Sequence, residues 1–139
     1  MLSWRPPFIW KTKWDLIPRQ PAIPIEIQTE VQKLVDDFNR KNFTKVDPRL
    51  SMIFGGNTNS GYSARFKGKF LYLDRSERGR KPSLICRLTW TGVMDKWDFA
   101  IYKYSHEGYD PEEWFFTGAD KVDGTVIGAM AAGMAAYPI

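Results

Sequence analysis

The chain has 139 residues, of which 43% are hydrophobic and 15% aromatic, and its net charge is +4. That length suits one domain, and that much apolar surface offsets the entropy of ordering a chain, which excludes disorder over most of it. The single cysteine excludes an intramolecular disulfide, and the single histidine excludes a metal site built on two histidines. The sequence shows no signal-peptide core, no apolar run of about 20 residues and no nucleotide motif. We therefore expect a cytoplasmic protein without a membrane span, a metal or another cofactor.

Charge is distributed unevenly along the chain. Residues 65–87 carry eight basic and two acidic side chains, for a local charge of +6. Residues 88–139 carry three basic and eight acidic side chains, for a local charge of −5. Such asymmetry indicates a polyanionic partner or self-association of opposite patches, and a solvated basic hairpin is the alternative.

Residues 1–23 form an arm that is rich in tryptophan and proline. Because proline is excluded from helix interiors and central strands, we expect extended backbone here, with one short strand at 9–16. Large rings are rarely left in water, so the tryptophans of the arm must lie on the domain, on a partner chain or on a ligand. These tryptophans are Trp4, Trp10 and Trp14.

A helix is predicted over residues 24–42. Pro24 suits the first helical turn, where its missing N–H costs no hydrogen bond. Five apolar side chains then recur at the spacing of one helical face. They are Ile27, Val31, Leu34, Val35 and Phe38.

An antiparallel sheet is predicted over residues 50–104. Five segments alternate between apolar and polar side chains, and short turns separate most of them, which is typical of a meander of adjacent strands. The predicted strands are 50–54, 62–66, 69–75, 83–90 and 97–104.

Residues 111–137 are predicted to be mostly helical. Asp110 is a good N-cap, and Pro111 and two acidic residues follow it, so we expect a short helix through 114–116 that ends at Gly118. A second helix is expected from about Asp123 to Tyr137. The whole pattern predicts a single α+β domain: an antiparallel four- to five-stranded meander sheet with an N-terminal amphipathic helix and a C-terminal helix packed on it.

Small residues recur every fourth position on the last predicted helix. Gly124, Gly128 and Ala132 would let another backbone approach closely. Together with the tryptophan arm, they predict a homodimer interface, and packing within one chain is the alternative.

One face of the predicted sheet mixes aromatic and basic side chains. Single-stranded nucleic acids bind to such faces, because bases stack on the rings while cations contact the phosphates. The alternative is that the arm, the short helix or a second subunit covers this face. The candidate nucleic-acid-binding residues, including a basic loop, are Arg65, Lys67, Phe70, Tyr72, Arg75, Arg78, Arg80, Lys81, Arg87, Tyr102 and Tyr104.

No catalytic residue is indicated by the sequence. Cys86 lies in the middle of a predicted strand on its apolar face, where a thiol is structural rather than reactive. The favoured hypothesis is a non-enzymatic binding module, with single-stranded nucleic acid as its candidate ligand. The alternative is a homodimeric interaction or structural protein, and a more distant one is an enzyme or small-molecule binder with a pocket between the sheet and the first helix.

Overall fold

The structure is a computed structural model that describes residues 22–43, 49, 60–77 and 80–138. Most of the expected arm, with its three tryptophans and its short strand at 9–16, lies outside the described residues. The predicted strand at 50–54 and the basic Arg78 lie outside them as well.

In the described residues, two α-helices pack on the same face of one five-stranded sheet. The elements are α1 (Ile25–Asn42), β1 (Gly61–Lys67), β2 (Phe70–Ser76), β3 (Ser83–Thr89), β4 (Asp98–Lys103), β5 (Gly108–Asp110), a short 3₁₀ helix (Ala119–Lys121) and α2 (Val126–Ala136). The strand order in the sheet is β1-β2-β3-β4-β5, and each strand runs antiparallel to the next. The expected α+β fold with an antiparallel meander between two helices is confirmed.

The core lies between the sheet and the helices. Side chains alternate across a strand, so each strand sends every second residue to the helices. Fully buried apolar side chains of the core come from both helices and from the central strands. They include Val31, Val35, Leu71, Leu73, Ile85, Cys86, Leu88, Val126 and Met130.

A β-bulge interrupts the alternation in β3. Leu73 of β2 pairs with Cys86, but the next residue of β2 pairs with Leu84, so Ile85 is the extra residue. Ile85 and Cys86 are consequently both buried, and Leu84 turns to the other face. The strict alternation expected from the sequence, which placed Leu84 in the core and Ile85 opposite it, is wrong at this point.

Asn39 joins α1 to the edge of the sheet. Its side-chain Nδ2 donates to the backbone oxygen of Tyr62 at 2.8 Å, and its Oδ1 accepts from the backbone N–H of Tyr62 at 2.8 Å. The amide thereby satisfies groups on an edge strand that would otherwise be unpaired. Gly61 has a positive φ of 143°, and a β-carbon there would collide with Asn39.

α2 begins one turn later than the sequence indicated. Thr125 is its N-cap, and the Thr125 Oγ1 accepts from the backbone N–H of Gly128 at 2.9 Å. Tyr137 ends the helix with its N–H bonded to the carbonyl of Gly133. Neither described helix combines the length and the apolar composition that a bilayer crossing requires.

The small residues expected at a dimer interface pack inside this chain instead. A β-carbon on Gly124 would collide with the backbone of Asp95, and one on Gly128 would collide with the Asp123 carboxylate. Ala132 is fully buried in the core. Intramolecular packing accounts for all three, so their spacing no longer argues for a second subunit.

The helix expected after Asp110 is absent from the described structure. Asp110 instead closes β5, and its Oδ1 accepts from the backbone N–H of Glu112 at 2.9 Å, which makes a turn. The following segment runs irregularly to Gly118, and Phe116 stacks on Phe99 with ring centroids 5.9 Å apart. Packing of rings on the sheet replaces the helix that the capping residues indicated.

Candidate functional site

The sheet face that points away from the helices carries most of the predicted binding residues. We call it the aromatic–basic face, and it is built from alternate residues of all five strands. Its members are Arg65, Lys67, Phe70, Tyr72, Asp74, Arg87, Thr89, Asp98, Tyr102 and Tyr109.

Arginine side chains lie over aromatic rings on this face. The strand register places Arg65, Tyr72 and Arg87 directly opposite one another on three neighbouring strands. The Arg65 guanidinium carbon is 4.4 Å from the centre of the Tyr72 ring. The Arg87 guanidinium carbon is 4.7 Å from the centre of the Phe70 ring and 5.5 Å from that of Tyr109. These distances are within the range of attractive cation–π contacts.

The rings themselves form a continuous row across the sheet. Neighbouring ring centroids are separated by 6.1 Å for Phe70 and Tyr72, 5.4 Å for Tyr72 and Tyr109, and 5.0 Å for Tyr109 and Tyr102. The rings meet at tilted or perpendicular angles and not as parallel stacks. Tyr72 and Tyr102 are each half-buried, so the row is neither open to water nor sealed.

Tyr104 and Tyr137 extend the row past the end of β4. Tyr104 packs edge-on against Tyr102 at 4.8 Å, and its hydroxyl donates to the backbone oxygen of Leu84 at 2.9 Å. The Tyr137 hydroxyl donates to the backbone oxygen of Tyr102, and its ring lies 5.7 Å from that of Tyr104. Tyr104 is 52% exposed and is therefore accessible to a partner.

An aspartate shares this face with the rings. Asp74 is only 8% exposed, and its Oδ2 accepts from the Arg65 Nε at 3.2 Å. Burial raises the pKa of Tyr109 to about 12, the charge of Asp74 adds to this rise, and the nearby Arg65 opposes it. The phenol of Tyr109 thus keeps its proton at neutral pH.

Six of the predicted binding residues meet on the aromatic–basic face, and Tyr104 extends it. Arg80 and Lys81 are exposed in the connection between β2 and β3, beyond the end of the strands. The six are Arg65, Lys67, Phe70, Tyr72, Arg87 and Tyr102.

Arg75 is on the opposite face and does not belong to this surface. It is 5% exposed, and its guanidinium donates to the carbonyl oxygens of Gly133 (3.4 Å) and Tyr137 near the end of α2. It also lies 3.8 Å from the carboxylate of Glu77. A cation suits the negative end of a helix, so Arg75 ties β2 to α2 rather than binding phosphate. Its alternation with Leu71 and Leu73 could have shown this from the sequence.

The structure adds Asp74 and Tyr109 to the site. Asp74 alternates with Phe70 and Tyr72, so strand periodicity could have placed it on this face. Tyr109 lies in the three-residue β5, which is too short for a periodic signal, and its pairing with Tyr102 becomes visible only in the folded sheet.

The other reactive groups are buried or dispersed. Cys86 is fully buried, and this burial raises its pKa well above a thiol's ordinary value, so the reactive thiolate is not populated. Among residues 22–43, 49, 60–77 and 80–138, no three His, Cys, Asp or Glu side chains converge as metal ligands would.

Comparison of the chain with protein-family models, curated proteins and solved structures finds no match.

Proposed function

We propose that this chain is a non-enzymatic binding module for single-stranded nucleic acid and that it binds through the aromatic–basic face. The observation that carries the proposal is the placement of planar guanidinium groups on the rings of Phe70, Tyr72 and Tyr109. A planar cation there occupies the position that a stacked base would take. Exchange of the guanidinium for a base would free the arginine to contact a phosphate.

Charge on and around the face favours a polyanion. The aromatic–basic face carries three cationic side chains and two aspartates. One of the aspartates, Asp74, is already paired with Arg65. Lys69 adds its ammonium group over the Phe70 ring at 5.3 Å. Exposed Arg80 and Lys81 extend the positive surface beyond the strands. A nucleic-acid backbone that runs along β1 to β3 would meet cations at both ends of these strands, Lys67 and Lys69 at one end and Arg80 and Lys81 at the other.

The first test is fluorescence polarisation of labelled 12-nucleotide single-stranded DNA and RNA, titrated with protein at low salt and at about 150 mM salt. We expect binding that weakens with salt. Lys67→Gln combined with Lys81→Gln should reduce the slope of log K against log salt by about 1 for each lost phosphate contact. The matched control is Lys33→Gln with Lys41→Gln, which removes the same charge from exposed positions of α1. Absence of binding even at low salt would retire the proposal.

Stacking is tested separately by Tyr72→Leu. Loss of one stacked base should weaken binding by about 1–3 kcal/mol, which is about 5- to 150-fold. Phe115→Leu is the control, because it makes a similar ring-to-aliphatic change in the segment that packs near Phe99 on the helix side of the sheet. Equal losses in both variants would argue against stacking on this face.

Self-association is a second candidate, and a different observation favours it. Phe115 is 96% exposed and its neighbour Trp114 is 49% exposed, so two large apolar side chains adjoin at the surface. Exposed apolar patches of this kind mark protein interaction sites. A homodimer would then use this apolar pair.

A further inference from the structure

Three buried polar atoms at the base of the aromatic–basic face lack hydrogen-bond partners. They are the Asp74 Oδ1, the Arg87 Nε and the Tyr109 hydroxyl, and none has a partner in the described part of the chain. Buried polar groups are paired in the great majority of cases, so three unpaired ones require an explanation. Asp74 is more than nine-tenths buried, so leaving its free carboxylate oxygen unpaired costs the most free energy of the three.

The three atoms belong to one cluster. The Arg87 guanidinium lies 5.5 Å from the Tyr109 ring centre, and the charge of Asp74 acts on the Tyr109 phenol. Arg65 connects them further, because its Nε donates to the other Asp74 oxygen while its charge opposes the rise in the Tyr109 pKa. Aromatic rings of Phe70, Tyr72 and Tyr102 surround this cluster on the same face.

The cluster offers one acceptor and two donors. An ionised carboxylate oxygen only accepts, the arginine Nε–H only donates, and the Tyr109 phenol keeps its proton to donate. The complementary ligand edge has one donor group and two acceptors. Cytosine and thymine (or uracil) have this inventory on their Watson–Crick edges, whereas guanine has two donor groups and one acceptor, and adenine has one of each.

We propose that Asp74, Arg87 and Tyr109 form a base-reading site that selects pyrimidines from a strand bound on the aromatic–basic face. This inference rests on the proposed function. A base reaches the polar atoms when the half-exposed Arg65 side chain turns its guanidinium off the Tyr72 ring and keeps the hydrogen bond from its Nε to the Asp74 Oδ2. The base then stacks on the vacated ring and presents its edge to the cluster.

The test compares labelled dT, dC and dA 12-mers by fluorescence polarisation, with the wild type and Tyr109→Phe. We expect the wild type to bind dT and dC about tenfold more tightly than dA, as a well-placed set of base contacts does. Tyr109→Phe keeps the ring but removes a donor, and it should erase most of that preference by weakening dT and dC binding more than dA binding. Thr29→Val is the control, since it also removes one hydroxyl but from an exposed position of α1, where that hydroxyl donates to the backbone oxygen of Ile25.

The outcomes separate the two proposals. Equal affinity for all three oligomers would overturn the base-reading site and leave the binding module intact. A pyrimidine preference that Tyr109→Phe does not reduce would also overturn it, because the preference would then come from strand flexibility. Failure of every oligomer to bind would overturn both. Thermal unfolding of each variant checks that it is folded. Asp74→Asn is a second variant that should also reduce the preference for dT and dC.

Discussion

Tyr62 links the edge strand of the sheet to both helices. Its ring meets Phe38 and Phe43 edge-on at 5.7 and 6.3 Å, and its hydroxyl donates to the backbone oxygen of Met130 at 2.8 Å. Burial raises its pKa above the ordinary value, a nearby thiol adds to this, and Arg75 opposes it. A single phenol therefore combines apolar contact with a buried hydrogen bond.

Tyr62→Phe should destabilise the fold by about 1–2 kcal/mol at neutral pH, because a buried hydrogen bond is lost. The raised pKa also sets a pH dependence. The protonated Tyr62 phenol contributes its full stabilisation below a tyrosine's ordinary pKa of about 10. That contribution declines as the pH rises from there through the pKa of Tyr62 in the folded protein. Urea unfolding at about pH 7.5 and 10.5 should thus show a smaller difference between wild type and variant at the higher pH. Tyr104→Phe, whose hydrogen bond is exposed, should change little. A difference that grows with pH would contradict the assignment.

The sequence predicts the sheet face of some side chains in the candidate site but not the partners of others. Alternation along the strands correctly places Arg65, Phe70 and Tyr72 on one face. The same rule places Arg75 with Leu71 and Leu73, on the face opposite to the predicted binding surface. The partners of Asp74 depend on contacts across strands, which the order of residues alone does not specify.

α2 approaches the sheet closely because its sheet-facing residues are small. A β-carbon at Gly133 would collide with the Tyr62 hydroxyl and the Ile85 side chain. Arg75 reaches the Gly133 carbonyl from the neighbouring strand. The absence of a side chain at Gly133 thus sets how closely α2 approaches the sheet.

Gly133→Ala should destabilise the protein despite the better helix propensity of alanine. Propensity favours alanine by about 1 kcal/mol, whereas overpacking a core costs about 1–3 kcal/mol. Combining the change with Tyr62→Phe removes one colliding atom, so the double variant should lose less stability than the two single losses together. Thermal and urea unfolding of the four proteins give the coupling. Strictly additive losses, or a stabilised Gly133→Ala, would show that the helix adjusts freely.

Regular elements were predictable where the periodic signal was long. α1 and strands β1 to β4 lie within a few residues of the expected ranges. The bulge at Ile85 was not predictable. Leu84, Ile85 and Cys86 are all apolar, so the sequence does not show at which of them the alternation between the two faces of β3 is interrupted. The helix expected after Asp110 does not form. Asp110 and Pro111 suit a helix start, but only about two turns fit between them and Gly118. Tertiary contact with Phe99 then decided the conformation.

The whole molecule carries its charge as a gradient across the sheet. Strand order in space equals strand order in sequence, so the described basic residues between 65 and 87 lie on β1 to β3 and on the connections between these strands. The acidic part of the chain begins with the turn before β4 and continues through the segment that includes the exposed Phe115. The fold therefore keeps the apolar pair of Trp114 and Phe115 in the acidic half.

If the protein self-associates through that pair, Phe115→Ser should weaken the association. Burying a phenylalanine side chain contributes about 2 kcal/mol, so the dimer Kd should rise by about 30-fold. Sedimentation velocity across micromolar concentrations measures this. Ile25→Ser is the control, because Ile25 is also exposed but lies on α1. A monomer at every concentration would remove the homodimer from consideration.

The contacts of Tyr62 and Arg75 with α2 span most of the described chain, whereas every strand pair in the sheet is a neighbour in sequence. During synthesis the hairpins of β1 to β3 can form as soon as they leave the ribosome. The part of their apolar face that packs on α2 stays uncovered until residues 126–137 follow, which takes a few seconds at about 5–20 residues per second. For that interval the nascent sheet presents Ile85, which lies against Gly133 of α2 in the finished fold, to water and to chaperones. Its solubility then depends on the speed of translation as well as on the finished fold.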